Sequence, residues 1–125
     1  MARILLIDDD EHIRLLYAEE LSQEGHEVIT LGSGDMVLSA ADRLQPEVVV
    51  LDIKMGDYDG LELLQQIRNR HYSLPIILCS AYDIYKEDPR TMAADYYVVK
   101  SFDLSELKIA IQRSIEAQTA QRPAV

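Results

Sequence analysis

An apolar run ends directly in a cluster of acidic residues near the start of the chain. Residues 4–7 are aliphatic, and the next four residues are Asp8, Asp9, Asp10 and Glu11. Carboxylates a few ångströms apart disfavour one another's ionised state, so the cluster costs stability unless something offsets the repulsion. Either these acids point away from one another into solvent, or a cation lies among them.

Further polar residues come at the ends of other apolar runs. Asp52 follows "VVVL", Ser80 ends "PIILCS" and Lys100 follows "YYVV". Clustered carboxylates match Mg²⁺, which prefers hard oxygen ligands and leaves room for water and a phosphate oxygen. A lysine and a serine hydroxyl can bind a phosphoryl oxygen, and a carboxylate can act as the nucleophile that accepts the phosphoryl group. The set suits in-line phosphoryl transfer, provided that the fold brings its members together.

Strands and helices are predicted to alternate along the chain. Aliphatic runs typical of buried parallel strands occupy residues 3–7, 27–31, 48–52, 75–80 and 96–99. Helical periodicity predicts a first helix capped by Asp9 or Asp10 and ended by Gly25, with later helices over residues 35–44 and 61–70. A last helix is predicted to open at Asp103, in a capping box with Glu106.

Two connections are predicted to be short or irregular. Asp88 and Pro89 could cap and begin a helix before the fifth strand, but few residues remain for it, so this fourth helix should be shortened. Residues 53–60 are predicted to form a loop in which Asp57 and Asp59 form turns.

This alternation predicts an α/β fold: a doubly wound, five-stranded parallel sheet with helices on both faces. Ligands of such sheets bind at the carboxyl ends of the strands, where the strand order reverses. In the order 2-1-3-4-5 the first and third strands are neighbours, so Asp9 and Asp52 would face each other there. Ser80 and Lys100 would lie on the same edge.

Composition limits the function classes. The 125 residues suit one domain, predicted over residues 1–118, with 119–125 as a tail or the start of a linker. A net charge of −10 argues against direct nucleic-acid binding by this domain. No apolar run is long enough to span a membrane, and the N-terminus lacks a secretory pattern. The single cysteine, Cys79, is compatible with a cytoplasmic location.

The segments "IDDDEHIR", "VVVLDIKMGDYDG", "IILCSAY" and "YYVVKSFDLSEL" occur in an order that resembles the receiver domain of two-component response regulators, of the chemotaxis-regulator type. The resemblance covers essentially the whole chain and implies a flavodoxin-like fold. It implies a signalling module that takes a phosphoryl group from a sensor histidine kinase or a phosphotransfer protein. Such a module is not an enzyme beyond its own phosphorylation and slow dephosphorylation. Its output is not determined by the sequence, nor is dimerisation on phosphorylation.

The resemblance also implies the metal site. Asp52 becomes the phosphoacceptor and a ligand of Mg²⁺, together with Asp9 directly and Asp8 mostly through water. The backbone carbonyl of Lys54, two residues after the acceptor, becomes the third protein ligand. The repulsion among the carboxylates that follow the first apolar run would then be tolerated, because a metal ion would lie among them.

The remaining roles follow the same motifs. Ser80 would hydrogen-bond the phosphoryl oxygen, Lys100 would pair with it, and Tyr97 occupies the aromatic switch position. Tyr82 is expected to shield the phosphorylated aspartate from water and to slow its hydrolysis.

Two positions depart from the family pattern. Gly56 and Ser101 stand where the family usually has proline, so the loop after Asp52 should be more mobile and the Lys100–Ser101 bond is expected to be trans.

Other readings remain open. Asp8 and Asp9 could simply cap the first helix. A Mg²⁺-dependent phosphohydrolase with an aspartyl nucleophile is the main alternative, but it needs a second acid where this chain has Lys54. A flavin- or nucleotide-binding module would need an anion loop, which "DDDEH" would repel. A receiver-like module that no longer takes phosphate is disfavoured because every chemical position is filled.

Overall fold

The structure, a computed structural model, describes residues 2–56 and 58–121, and only the backbone of residues 119–121. Within them seven strands are found: β1 (Arg3–Ile7), β2 (Glu27–Leu31), β3 (Val48–Leu51), β4 (Lys54–Met55), β5 (Tyr58–Asp59), β6 (Ile76–Ser80) and β7 (Tyr96–Val99). The helices of this part of the chain are α1 (Glu11–Gln23), α2 (Val37–Leu44), α3 (Gly60–Arg70) and α4 (Ser105–Gln121). Asp57, a predicted turn former, lies outside the described residues, as does most of the predicted tail. The domain limit at residue 118 therefore stays a prediction.

The main sheet is parallel and has the order β2-β1-β3-β6-β7. This confirms the predicted doubly wound order, because β6 and β7 are the fourth and fifth of the aliphatic strands. The register pairs Ile7 with Leu51, and the amide of Asp52 donates to the Ile7 carbonyl at 3.0 Å. Asp8 and Asp52 therefore leave neighbouring strands at the same level.

Side chains of the sheet alternate between two buried clusters. Leu5, Ile7, Val49 and Leu51 face one side, where α2 and α3 cover them. Ile4, Leu6, Val48 and Val50 face the other side, where α1 and α4 cover them. All of these side chains are at most 2% exposed. Each contributes roughly 1.5–3 kcal/mol through removal from water, and together they hold the strand ends in fixed register.

The predicted start of α2 was wrong, and the capping box predicted for α4 is only half formed. α2 begins at Val37 rather than at Asp35, because the Asp35 carboxylate accepts a hydrogen bond from the Tyr58 hydroxyl and does not cap the helix. α4 begins at Ser105, and Asp103 caps its start as predicted, because the Asp103 carboxylate accepts a hydrogen bond from the Ser105 amide at 2.9 Å. The Asp103 amide donates to the Ser101 hydroxyl at 3.1 Å, which occupies the donor that a reciprocal capping box requires.

The predicted fourth helix is indeed shortened. Two 3₁₀ segments, Ile84–Glu87 and Pro89–Ala93, occupy its place instead of α-helix. Asp88 caps the second segment as predicted, since its carboxylate accepts from the Arg90 amide at 2.9 Å. The few residues between Pro89 and β7 leave no room for a longer helix.

The segment predicted as a plain loop after β3 contains a small antiparallel hairpin, β4–β5. Gly56 at its turn has a φ of +54°, in the left-handed region. Proline cannot adopt this angle, because its ring holds φ near −65°. The hairpin thus explains why glycine stands at this position. Tyr58 anchors it to the chain before α2: a Cβ on Gly34 would lie 2.5 Å from the Tyr58 ring.

Gly60, the first residue of α3, is pressed against the backbone of the two residues that follow β3, Asp52 and Ile53. A Cβ at this position would lie 2.1 Å from the Asp52 carbonyl oxygen and 2.7 Å from the Ile53 Cα. Both contacts are to backbone, so they cannot be relieved by a rotamer change. The close approach lets the Gly60 amide donate to the Ile53 carbonyl at 2.6 Å.

Every peptide bond in the described residues is trans, including Lys100–Ser101 as expected. None of the helices in this part of the chain combines the length and apolar character needed to cross a bilayer.

Substitution of the two glycines should separate overpacking from backbone strain. Gly60→Ala is expected to lower the free energy of unfolding by at least about 3 kcal/mol, because a methyl group would overlap the backbone. Gly56→Ala should cost only about 1–2 kcal/mol, since its Cβ meets nothing within 4 Å and only the positive φ is unfavourable. Urea denaturation measures both changes, and equal losses would contradict the packing described around Gly60.

Candidate functional site

Asp8 and Asp52 form the buried centre of the site. They follow β1 and β3, and they are only 2% and 5% exposed. One oxygen of Asp8 accepts a hydrogen bond from the Asp10 amide at 2.9 Å. Two carboxylates buried on adjacent strands repel each other strongly, so the arrangement requires positive charge nearby.

Lys100 supplies part of that charge. It follows β7, and its amide is fixed by a 2.7 Å hydrogen bond to the Ser80 carbonyl. Its Nζ lies 2.5 Å from Asp8 Oδ2 and 3.2 Å from Asp52 Oδ2. One ammonium group is thus shared between two acids, with the shorter contact to Asp8.

The shared cation does not satisfy both acids. Burial is the main reason that the pKa of Asp52 is raised to about 6; the charges of Asp8 and Asp9 act in the same direction, and Lys100 opposes them. Burial lowers the pKa of Lys100, but the hydrogen bond to Asp8 and the charge of Asp52 outweigh it, so this pKa is raised. The close Asp52–Lys100 contact and the raised Asp52 pKa are consistent, because Lys100 is also engaged by Asp8.

The predicted site residues, with the exception of Tyr97, line one open cavity of about 420 Å³. It is bordered by Asp8, Asp9, Asp10, Asp52, Lys54, Gly56, Ser80, Ala81, Tyr82 and Lys100. Four aspartates face two lysines, a formal excess of two negative charges when all are ionised. The structure therefore brings together the residues that the sequence placed at this edge of the sheet, and leaves their surroundings anionic.

Three of these acids could hold a metal ion. Asp8, Asp9 and Asp52 each offer a carboxylate oxygen, and the three oxygens lie within 4.8 Å of one another. Asp8 and Asp52 are buried whereas Asp9 is exposed, so the cluster opens toward solvent on one side. Carboxylate oxygens with an open side fit a hard divalent cation that keeps bound water.

Ser80 ends β6 and borders the cavity, and Tyr97 lies on the neighbouring strand β7. Ser80 is buried, and its hydroxyl accepts from the Tyr82 amide at 3.2 Å. Tyr97 does not border the cavity; its hydroxyl donates to the Tyr82 carbonyl at 2.5 Å. Tyr82 is thus held between them, with its own side chain 56% exposed at the cavity rim.

Asp10 has the capping role predicted for it. Its carboxylate accepts from the His12 and Ile13 amides at the start of α1. Asp9 makes neither of these bonds, so a single acid caps the helix while its neighbours border the cavity.

Sequence reasoning missed Arg14. Its guanidinium on α1 donates to the Asp8 carbonyl at 2.8 Å, across Gly32 at the end of β2. A Cβ on Gly32 would lie 2.9 Å from this guanidinium. The contact fixes the backbone of the acidic turn, and nothing in the local pattern around Arg14 distinguishes it from a surface arginine.

Comparison with known proteins identifies the family. Residues 4–112 match the family model described as response regulator receiver domain. The chain therefore belongs to the response regulator receiver domain family, as its motifs indicated.

Individual relatives agree with this membership. The regulatory protein AtoC of Escherichia coli (strain K12) is 32% identical over 123 residues, which is 96% of this chain and 26% of AtoC. The chain thus spans about a quarter of that relative's length.

Solved structures are also similar. The response regulator TrrA from Thermotoga maritima, in complex with Mg²⁺-BeF, superposes with a TM-score of 0.88 at 41% identity, covering 91% of this chain and 99% of TrrA. TrrA in complex with the histidine kinase ThkA superposes with a TM-score of 0.87 at 41% identity, covering 92% and 99%.

Asp52→Asn should stabilise the metal-free protein at pH 7. The folded-state pKa of Asp52 is raised from 3.8 to about 6, so its favourable contribution is complete below about pH 4 and is lost as the pH rises through 6. The gain should be on the order of 1–3 kcal/mol at pH 7 and should vanish near pH 3.

Thermal unfolding in a chelating buffer measures this gain at both pH values. Asp83→Asn, an exposed aspartate on the loop after β6, is the matched control and should change little. A loss of stability in Asp52→Asn at pH 7 would contradict the electrostatic description of the site.

Proposed function

We propose that this domain accepts a phosphoryl group on Asp52 from the phosphohistidine of a sensor histidine kinase or a phosphotransfer protein. The observation that carries the proposal is the position of the Asp52 carboxylate: buried, bordering an open cavity, and 3.2 Å from Lys100 Nζ. Membership of the receiver family and the structures of TrrA with Mg²⁺-BeF and with a histidine kinase support it.

Asp52 is proposed to act as the nucleophile. One carboxylate oxygen would form a bond to phosphorus while the bond from phosphorus to the donor nitrogen breaks, and the electron pair of that bond leaves with the donor. With its pKa at about 6, Asp52 is mainly ionised near pH 7 and able to attack.

Lys100 and Ser80 are proposed to stabilise the transferred group. Lys100 now contacts Asp52 and could pair with a phosphoryl oxygen attached to it, while retaining its 2.5 Å contact to Asp8. Ser80 borders the same cavity and could donate its hydroxyl hydrogen to that oxygen. Both contacts would offset negative charge during transfer.

We infer that Mg²⁺ is the cofactor, because the donor set is entirely of hard oxygen. Asp8, Asp9 and Asp52 would hold it, with the backbone carbonyl of Lys54, a residue that also lines the cavity. When bound, the ion would supply positive charge to the phosphoryl oxygens and reduce repulsion with the acceptor. The residue-by-residue roles of these ligands, and of Tyr97 as a switch, remain proposals from the family resemblance.

The partners beyond the kinase follow from the same proposal. Because the chain spans only part of relatives such as AtoC, we propose that phosphorylation acts on an output domain or a separate protein. Absence of direct nucleic-acid binding by this domain, a cytoplasmic location and dimerisation on phosphorylation stay predictions. The phosphohydrolase alternative is not favoured, since Lys54 stands where it needs a second acid.

Incubation with acetyl phosphate and Mg²⁺ tests the proposal. Wild-type protein is expected to gain the mass of one phosphoryl group, measured by intact-mass spectrometry. Asp52→Asn should gain none, because an amide is not a competent nucleophile. Asp83→Asn keeps all the cavity acids and should be labelled like the wild type. Equal labelling of Asp52→Asn and the wild type would place the acceptor elsewhere and contradict the proposal.

A further inference from the structure

Tyr17 joins α1 to the loop that follows Lys100. Its side chain is 2% exposed and packs in the cluster between the sheet, α1 and α4. Its hydroxyl donates to the Ser101 carbonyl at 3.0 Å and accepts from the Ser101 amide at 3.4 Å. A single phenol oxygen thus engages both backbone groups of one residue, 84 positions away in sequence.

Ser101 is the residue next to the lysine that the site depends on. Lys100 is restrained on one side by its amide hydrogen bond to the Ser80 carbonyl. On the other side the chain leaves β7 and turns toward α4 through exposed residues, of which Ser101 is the first. The bonds from Tyr17 fall at this point, where the strand ladder no longer fixes the backbone.

The residue type at position 101 makes such an anchor necessary. A proline would have a fixed φ and little freedom to lose, whereas a serine in an exposed loop loses backbone entropy when it is ordered. Hydrogen bonds from a buried hydroxyl group can offset that loss. Serine has no ring to fix φ at position 101, so the backbone there depends on hydrogen bonds for its restraint.

We propose that Tyr17 is a positioning residue: its hydroxyl anchors Ser101 and thereby keeps the Lys100 ammonium between Asp8 and Asp52. It does not touch the transferred group and acts only through the lysine. The proposal rests on the function proposed above in one respect, namely that Lys100 assists phosphoryl transfer. The placement of Lys100 itself can be tested without that function.

Tyr17→Phe removes only the hydroxyl and keeps the packed ring, so the variant should fold. Tyr96→Phe is the matched control, because Tyr96 packs against the same cluster from the start of β7, at the far end of the strand from Lys100. Two measurements are made on both variants and on the wild type. Crystal structures give the position of Lys100 Nζ. Labelling by acetyl phosphate in saturating Mg²⁺, below the melting temperature of each variant, gives the rate.

In Tyr17→Phe we expect Lys100 Nζ to leave hydrogen-bonding distance of Asp52. The maximal labelling rate should fall about two- to tenfold, the equivalent of one lost hydrogen bond, with the half-saturating acetyl phosphate concentration unchanged. Tyr96→Phe should leave both the lysine and the rate unchanged. A purely structural role of the hydroxyl would lower the melting temperature without moving Lys100 or the rate.

The outcomes separate this inference from the proposed function. Lys100 still in contact with both carboxylates in Tyr17→Phe would overturn the positioning role, whatever the rate. A displaced Lys100 with an unchanged rate would support the positioning role and refute the part proposed for Lys100 in transfer. If the wild type is not labelled at all, the proposed function fails, while the crystallographic comparison still decides the role of Tyr17.

Discussion

A single ammonium group, that of Lys100, lies between two buried carboxylates at the edge of the sheet. Its 2.5 Å contact to Asp8 and 3.2 Å contact to Asp52 offset only part of the repulsion among three clustered acids. Burial, together with the charges of Asp8 and Asp9, keeps the pKa of Asp52 raised, and the acids that line the cavity leave it anionic. The site therefore favours ligands that bring positive charge, and the Asp52 carboxylate is held at a free-energy cost that the fold must support.

The fold supports this cost through strand register rather than through the site itself. Apolar side chains on both faces of β1 and β3 fix the level at which Asp8 and Asp52 leave the sheet. Contacts from outside the cavity then hold the loops: Arg14 binds the Asp8 carbonyl, Tyr17 binds Ser101, and Gly60 lets α3 approach Asp52. Each of these contacts acts on backbone, so the reactive side chains remain available to a ligand.

Much of this arrangement could be predicted from the sequence. The strands are short aliphatic runs with no competing helical period, and polar residues at their ends must meet at one edge of a parallel sheet. This pattern alone places Asp8, Asp9, Asp52, Ser80 and Lys100 at that edge, and all five border the cavity.

The features that the sequence did not predict depend on individual contacts that a hydrophobic pattern does not show. The β4–β5 hairpin has strands of two residues, too short to show alternation, and it depends on Tyr58 packing against Gly34 from a distant loop. The capping box at α4 is incomplete because the Asp103 amide donates to the Ser101 hydroxyl, although the Asp103 carboxylate still accepts from the Ser105 amide. The role of the Tyr17 hydroxyl arises between residues far apart in sequence, and a local pattern shows only a core tyrosine.

Thermal unfolding at pH 7 with increasing Mg²⁺ tests the central claim most directly, namely that the acids are tolerated because a divalent cation binds among them. A ligand at one hundred times its dissociation constant stabilises the folded state by about 2.7 kcal/mol, which corresponds to a rise in Tm of several degrees. The account predicts such a rise in wild type and a much smaller one in Asp52→Asn. No shift in the wild type at millimolar Mg²⁺, or an equal shift in both proteins, would contradict it.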